Sequence, residues 1–365
     1  MSKAAELAAL IGGQKALGHK NLVKNGAMVV AQRATSASGD TTGTVRTVDR
    51  MNPEISSAGT WTQSQSTDVP SGQGFVNSYK LDCTTADASL SAGDVVIVGY
   101  RMEGIELQRL NYGTSGAKNT VLSFWVKTNK TGNYVVQFQN IRSTIRTCSL
   151  LYTVSSANTW QKVEFPIPAD TAATFDNDNL LSGILYWWLA AGTTYTSGTL
   201  NTTWADRVNA NNAAGLNVNL ADSTDNEWYI TGIQLEEGDV ATPFEHEDFG
   251  TTLAKCQRYY QRIESNGTYD ALLDGMHYVT TQFYAMHTFP VQMRAEPTMA
   301  GSGTFAVFSN GADRTPDSLI LNRATKEVIQ TYSALSGGNV GTAGHGGHLR
   351  NNNDANTFLE FKAEL

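Results

Sequence analysis

From Asn21 onward the chain is a succession of short runs rich in β-branched and aromatic residues, parted by Gly, Asn, Ser and Thr, and this rhythm restricts its fold more than any other feature. AMVVAQR, GFVNSYKLDC, SAGDVVIVGYRMEG, NTVLSFWVKTN, GNYVVQFQNI, CSLLYTVS, TWQKVEFPIP, SGILYWWLA, AGLNVNLA and EWYITGIQLEEG are each strand-sized. Alternation gives each strand an inner and an outer side: Leu122, Phe124 and Val126 oppose Ser123, Trp125 and Lys127, and Val163, Phe165 and Ile167 oppose Trp160, Lys162 and Glu164. About ten such strands at short spacing predict a mainly β protein, a jelly-roll sandwich of two antiparallel sheets.

Before these strands, Ala4, Leu7, Ala8 and Ile11 recur at helical spacing, with Ser2 as an N-cap and Gly12-Gly13 as a stop. A helix this short is marginal alone in water, so its apolar stripe calls for burial against this protein's body or a neighbouring chain. Residues 1–20 are therefore expected to be a helical anchor and 21–248 the jelly roll. Residues 249–365 are expected to form a smaller β-rich domain, entered through GTTLAKCQRYYQRI and continuing in GMHYVTTQFYAMHTFPVQMR, GTFAVFSN, SLILNR, EVIQTYSA and NTFLEFKAEL. The Gly- and Asn-rich stretch from Gly337 to Asn356 reads as an exposed loop.

Only 16% of residues are charged and the formal net charge is −8, which disfavours attraction to phosphate backbones and anionic lipid surfaces, so neither nucleic acid nor membrane is expected as a partner. No secretory leader or long apolar span is evident, and a soluble chain folded without export is expected. Cys83, Cys148 and Cys256 are an odd number and read as small buried hydrophobes, with room for at most one pair. No zinc-type Cys/His spacing, phosphate-binding glycine loop or GxSxG elbow occurs, so no cofactor and no catalytic residue is expected.

The stretch IQLEEGDVATPFEHEDFG gathers carboxylates and a histidine, the groups that acid/base chemistry and hard cations both use. Its first half reads as a strand with Tyr229, Thr231, Ile233 and Leu235 opposing Trp228, Ile230, Gly232 and Gln234, closing in a turn at Glu236-Glu237-Gly238. Adjacent carboxylates at a strand end point to opposite faces, so the stretch is expected to be solvated charge; Glu236 and Asp239 are the candidates if a structural Ca²⁺ binds there.

A sugar's CH face stacks on an exposed aromatic ring while its hydroxyls bond nearby polar groups. The candidates are Tyr186, Trp188, Tyr195 and Trp204. Leu185, Trp187 and Leu189 take the core side of their strand and turn Tyr186 and Trp188 outward, and the alternative is that all these rings fill the sandwich or a subunit interface. His277, His287, His345 and His348 read as solvated or hydrogen-bonded loop residues.

ITGIQLEEGDVATPFE, then LAKCQRYYQRI, then FPVQMRAEPTM, resembles a signature of tailed-bacteriophage virion proteins, particularly fibre and related proteins of marine phages; NLVKNGAMVVAQR is similar to their entry into the β-domain. TVLSFWVKTNKTGNYVVQF, YTVSSANTWQKVEFPIPADT and LYWWLAAGTTY are similar to carbohydrate-binding-module jelly rolls. The resemblance implies a non-enzymatic virion protein, made in the host cytoplasm, that is a tail-fibre or receptor-binding component, assembles as a homotrimer, contacts other virion proteins through its N-terminal segment, and binds host surface glycan through its jelly roll. No extended coiled coil or repetitive shaft is present, so a capsid-attached decoration or head-fibre protein is the structural alternative, and a polysaccharide depolymerase the enzymatic one.

Overall fold

The structure is a computed structural model that describes residues 19–44, 46–142 and 144–365. The expected anchor residues Ala4, Leu7, Ala8 and Ile11 lie outside the described residues. The chain divides into two compact units, one extending to Thr252 and including Leu365, the other spanning Leu253–Glu364.

The first unit is built from β1 (Ser36–Asp40), β2 (Met51–Ser56), β3 (Thr60–Ser66), β4 (Ser78–Thr85), β5 (Val95–Glu103), β6 (Thr120–Thr128), β7 (Gly132–Asn140), β8 (Arg146–Val154), β9 (Gln161–Ile167), β10 (Leu181–Ala191), β11 (Ala205–Asp206) and β12 (Glu227–Glu237). They form two six-stranded sheets, ordered β1-β3-β4-β12-β6-β9 and β11-β8-β7-β10-β5-β2. The inner faces meet in one core, where Leu122, Phe124, Val126, Val163, Phe165 and Ile167 take the side that alternation assigns them. Leu185, Trp187 and Leu189 enter the same core from the opposite sheet. The fold is mainly β, as the sequence predicts.

Local polar bonding overrides strand propensity in two runs. AMVVAQR forms no strand: Asn25 and Met28 both take φ of 59°, and the Asn25 side chain donates to the carbonyls of Val30 and Asp49 while accepting from the Val30 amide. AGLNVNLA is likewise irregular and ends in a 3-10 turn at Leu220–Asp222, capped by the Asn219 side chain accepting from the Ala221 amide. Conversely, the polar sequences of β1 and β3 become strands because a neighbouring strand completes their ladder.

In β12 the expected alternation breaks. Trp228 and Ile230 face the core, but so do Ile233 and Leu235, because the ladder to β6 shifts between Thr231 and Gln234. Gly232 supplies the extra residue at φ +63°, a conformation that β-carbons disfavour. A β-carbon there would stand 2.5 Å from Phe75 Cζ and 3.1 Å from Trp125 Cδ1.

The second unit is entered by a helix at Phe249–Gln257. Its strands are β13 (Tyr260–Glu264), β14 (Ala271–Val279), β15 (Gln282–Thr288), β16 (Thr298–Ser302), β17 (Phe305–Ser309), β18 (Ala312–Arg314), β19 (Ser318–Ala324), β20 (Val328–Ala334), β21 (Gly346–Asn351) and β22 (Phe358–Lys362). A three-stranded sheet, β13-β22-β16, and a seven-stranded sheet, β18-β17-β21-β14-β15-β20-β19, share a core of Leu273, Phe283, Ala285, Ile329, Leu349 and Phe361. The loop expected over Gly337 to Asn356 contains an interior strand, β21. Leu349 anchors it, and Gly347 lets it close on β17, since a β-carbon there would meet the Phe308 carbonyl oxygen at 2.2 Å. Among the described residues no helix is long and apolar enough to cross a membrane.

Gly232→Ala strains a positive-φ backbone and collides with Phe75, so it is expected to cost about 2 kcal/mol of stability, read as a lower urea midpoint. A midpoint equal to that of the parent chain would show that the bulge accommodates a β-carbon.

Candidate functional site

The acidic stretch is only partly solvated. Glu236 is 3% exposed and Glu237 is exposed, so the pair does point to opposite faces, but Glu236 belongs to a closed network rather than to water. Its Oε1 accepts from the Thr242 amide and the Gln234 side chain, and its Oε2 from the Thr242 hydroxyl. Glu245 accepts from the amides of Lys20 and Asn21, while Gln234 Oε1 accepts from the Glu245 amide. Phe244 packs at 5.0 Å on Phe75 and 4.9 Å on His246. The segment after β12 is therefore folded back as a buttress over the outer face of its own sheet. Asp239 accepts from Asn119 instead of joining Glu236, and among the described residues no group of three or more His, Cys, Asp or Glu side chains is placed to hold a metal ion.

The expected aromatic platform on the first unit is largely closed. Tyr186, Trp188 and Tyr195 do come together, with ring centroids 6.3 and 5.4 Å apart in succession. Trp188 is nevertheless only 3% exposed, packed with Val95, Ile97, Val135 and Ala213. Ala213 and the half-buried Leu200 and Leu216 come from the connection between β10 and β12, which lies on this outer face and fills what alternation alone would leave open. Tyr186 keeps a half-buried ring against Gly99, its hydroxyl donating to Glu54, which Arg101 also binds. Burial, and then Glu54, push the Tyr186 phenol above its ordinary pKa. Trp204 is elsewhere: its ring meets Tyr112 and Phe138, and its indole N–H donates to the Pro168 carbonyl. It plugs the sandwich core. Cys83, Cys148 and Cys256 are buried, and each keeps its thiol rather than forming a disulfide.

A more open aromatic surface lies on the outer face of the seven-stranded sheet. Cross-strand register sets Met276 beside Tyr284, Tyr284 beside Tyr332, and Tyr332 beside Ile320, one residue from each of four adjacent strands. With strands about 4.8 Å apart this row spans about 14 Å. Tyr284 and Tyr332 have centroids 5.4 Å apart, and Tyr278, 70% exposed, stands edge-on to Tyr284 at 6.0 Å. Beside the row runs a groove of 720 Å³ whose polar lining is Asp274, Asn322, Arg323 and Gln330. Asn322 donates to Gln330 at 2.7 Å, leaving its own carbonyl oxygen and the Gln330 amide available. The Asp274 carboxylate is almost fully exposed, with His348 at 3.9 Å. Flat rings, open polar groups and a shallow groove suit a ligand that is apolar on one face and hydroxyl-rich at its edges.

Periodicity does not single out this surface. In MHYVTTQFYAM both sides of the strands carry large apolar or aromatic residues, with His277, Phe283 and Ala285 inward and Met276, Tyr278, Tyr284 and Met286 outward. That composition matches a strand buried on both faces. The available signal was the shared parity of Tyr278, Tyr284 and Met286 in a hairpin.

His277, expected in a solvated or loop setting, is fully buried beneath this sheet; its Nε2 lies 2.8 Å from Ser309 Oγ. His287 stacks on Phe361 at 6.0 Å, and His348 on Phe308 at 5.5 Å, while His345 is exposed.

No family model matches this chain, and no curated protein matches it. Among solved structures, it is similar to the enzymatically active domain of bacteriophage CBA120 tailspike protein 4, at 11% identity and TM-score 0.33 over 60% of this chain. This chain spans 21% of that tailspike chain. It is also similar to CBM4, at 10% identity and TM-score 0.29 over 59% of this chain and 99% of the other. The xylan-binding domain from CBM 22 matches at 12% identity and TM-score 0.30, again over 59% and 99%. Likenesses this slight carry no function across to this chain.

Burial lowers the pKa of His277, and the nearby charges of Arg314 and His345 lower it further; burial alone lowers that of His287. Both imidazoles stay neutral in the folded state at pH values where the unfolded chain takes up protons. Their contribution to stability is thus complete above pH of about 6.5 and declines as pH falls below it. Urea midpoints from about pH 7.5 down to 5 are expected to fall more steeply for the parent than for His277→Gln; parallel slopes would contradict this.

Proposed function

We propose that this chain is a non-enzymatic adhesive component of a phage virion that holds host surface glycan on the Tyr278, Tyr284 and Tyr332 face of its second unit. The observation that carries the reading is the register-aligned row Met276, Tyr284, Tyr332 and Ile320 beside a polar groove. Rings fixed by a sheet lose little freedom on binding, so stacking energy is spent on the ligand rather than on ordering the site. A row of this length fits a short linear oligosaccharide laid across the strands, with Asn322, Arg323 and Gln330 at its hydroxyl edge and Asp274 accepting from it.

The virion setting is the finer part of the proposal and is supported by the resemblance of ITGIQLEEGDVATPFE and its companion strings to tailed-phage fibre proteins. With it come a tail-fibre or receptor-binding role, attachment to other virion proteins, and a homotrimer. Absence of catalysis belongs to the proposal too: fresh reducing ends on host polysaccharide incubated with the protein would contradict it.

A glycan array of host surface sugars, followed by calorimetry on the hits, tests the binding site. Tyr284→Ala and Tyr332→Ala are each expected to weaken binding about tenfold, equivalent to about 1.4 kcal/mol, with circular dichroism unchanged. Silence across the array, or full affinity in a folded Tyr278→Ala/Tyr284→Ala/Tyr332→Ala chain, would overturn it.

A further inference from the structure

Strand β19 brings an arginine onto the tyrosine face by breaking its own alternation. Leu319 and Leu321 pack toward the core of the second unit, so strict alternation would send Arg323 inward with them. Instead the ladder to β20 shifts between Leu321 and Arg323: Asn322 is the extra residue, and Arg323 pairs with Gln330 on the outer face. Bulges re-aim side chains in this way, and this one keeps a guanidinium out of the core and turns it into the groove.

The bulge completes a second row. Register sets Asp274 beside Met286, Met286 beside Gln330, and Gln330 beside Arg323, again one residue from each of four adjacent strands, and all of them line the groove. This row runs two residues along the strands from Met276, Tyr284 and Tyr332, a separation of about 7 Å. Its two charges stand at opposite ends, on strands about 14 Å apart, so neither neutralises the other. Two other arginines of the sheet are spent within the protein: Arg350 is forked onto the Asp313 carboxylate, and Arg314 donates to Ser309 and to the Val340 carbonyl. Among the described residues the exposed Arg323 side chain has no ion pair or hydrogen bond. It presents its planar fork of N–H donors, the shape that matches a carboxylate, to whatever enters the groove.

We propose that the glycan held on this face is acidic, with a ring-borne carboxylate taken by the Arg323 guanidinium and the uncharged end of the oligosaccharide directed to Asp274. The inference rests on the reading of this face as a glycan site and adds the class of glycan and its direction. A pyranose stacked by its CH face on Tyr332 carries an equatorial carboxylate near the plane of its own ring, directed sideways rather than up into solvent. Arg323 lies to that side, and so does the Gln330 amide, which stays available because only Gln330 Oε1 accepts from Asn322. At the other end the Asp274 carboxylate repels an anionic sugar and accepts from hydroxyls, so the two ends of the row fix which way the chain lies.

An array of hexuronic-acid oligosaccharides, each printed beside its carboxyl-reduced form and beside neutral host sugars, tests this on the full chain, with calorimetry on the pairs that bind. The parent is expected to hold the acid about fivefold more tightly than the reduced form in low salt, a preference that shrinks in high salt. Arg323→Gln is expected to bind both alike, at the parent's affinity for the reduced form, whereas Tyr284→Ala weakens both and keeps their ratio. Arg323 is exposed, so its exchange leaves the core intact. Equal affinity of the parent for acid and reduced form, or a preference that survives in Arg323→Gln, overturns this inference and leaves the glycan face standing. Silence across acidic and neutral sugars together overturns both.

Discussion

The seven-stranded sheet depends on burial of one side of each strand, and that burial fixes what the other side presents. Leu273 and His277 in β14, Phe283 and Ala285 in β15, and Ile329 in β20 are drawn into the interior. A shift of one residue would exchange every inner side chain for an outer one, a loss of many kilocalories, so register is held tightly. Met276, Tyr284, Tyr332 and Ile320 are aligned on the outer face as a consequence. The candidate ligand face is therefore placed by the core beneath it, although none of its rings contributes to that core.

Much of the first unit was legible because its strands are half-buried in the simple sense: Leu122, Phe124 and Val126, or Val163, Phe165 and Ile167, alternate with polar neighbours and do enter the core. Legibility ended where local chemistry competes with the ladder. Asn25 and Asn219 bond their own backbone neighbours and turn strand-like sequence into irregular chain. Gly232 reverses the phase of β12 by admitting one extra residue, a bulge that strict alternation passes over even though an isolated glycine within a strand is its usual mark. β21 was hidden by the opposite effect: a glycine-rich sequence became an interior strand because its missing side chains allow β17 to approach.

The candidate site was legible in kind and not in place. Exposed tyrosines and tryptophans are the residues that sugar stacking directs one to seek, yet parity cannot report that the connection between β10 and β12 returns to cover Trp188, or that Trp204 seals the core. Tyr278 and Tyr284 escaped notice because their strands carry large apolar or aromatic residues on both sides, and Tyr332 because it is a lone ring in the mixed sequence of β20. The acidic stretch after β12, which first invites a catalytic or metal reading, spends its carboxylates on backbone amides and on Thr242, holding a buttress in place. Glu236, Thr242 and Glu245 together supply the hydrogen bonds that close the fold-back.

The central claim is that a glycan lies on the tyrosine row of the second unit. Intermolecular nuclear Overhauser contacts between a bound host oligosaccharide and selectively labelled tyrosine rings test it most directly. The account predicts contacts from sugar CH protons to Tyr278, Tyr284 and Tyr332. Contacts confined to Tyr186 and Tyr195 of the sandwich, with none to those three rings, would contradict it.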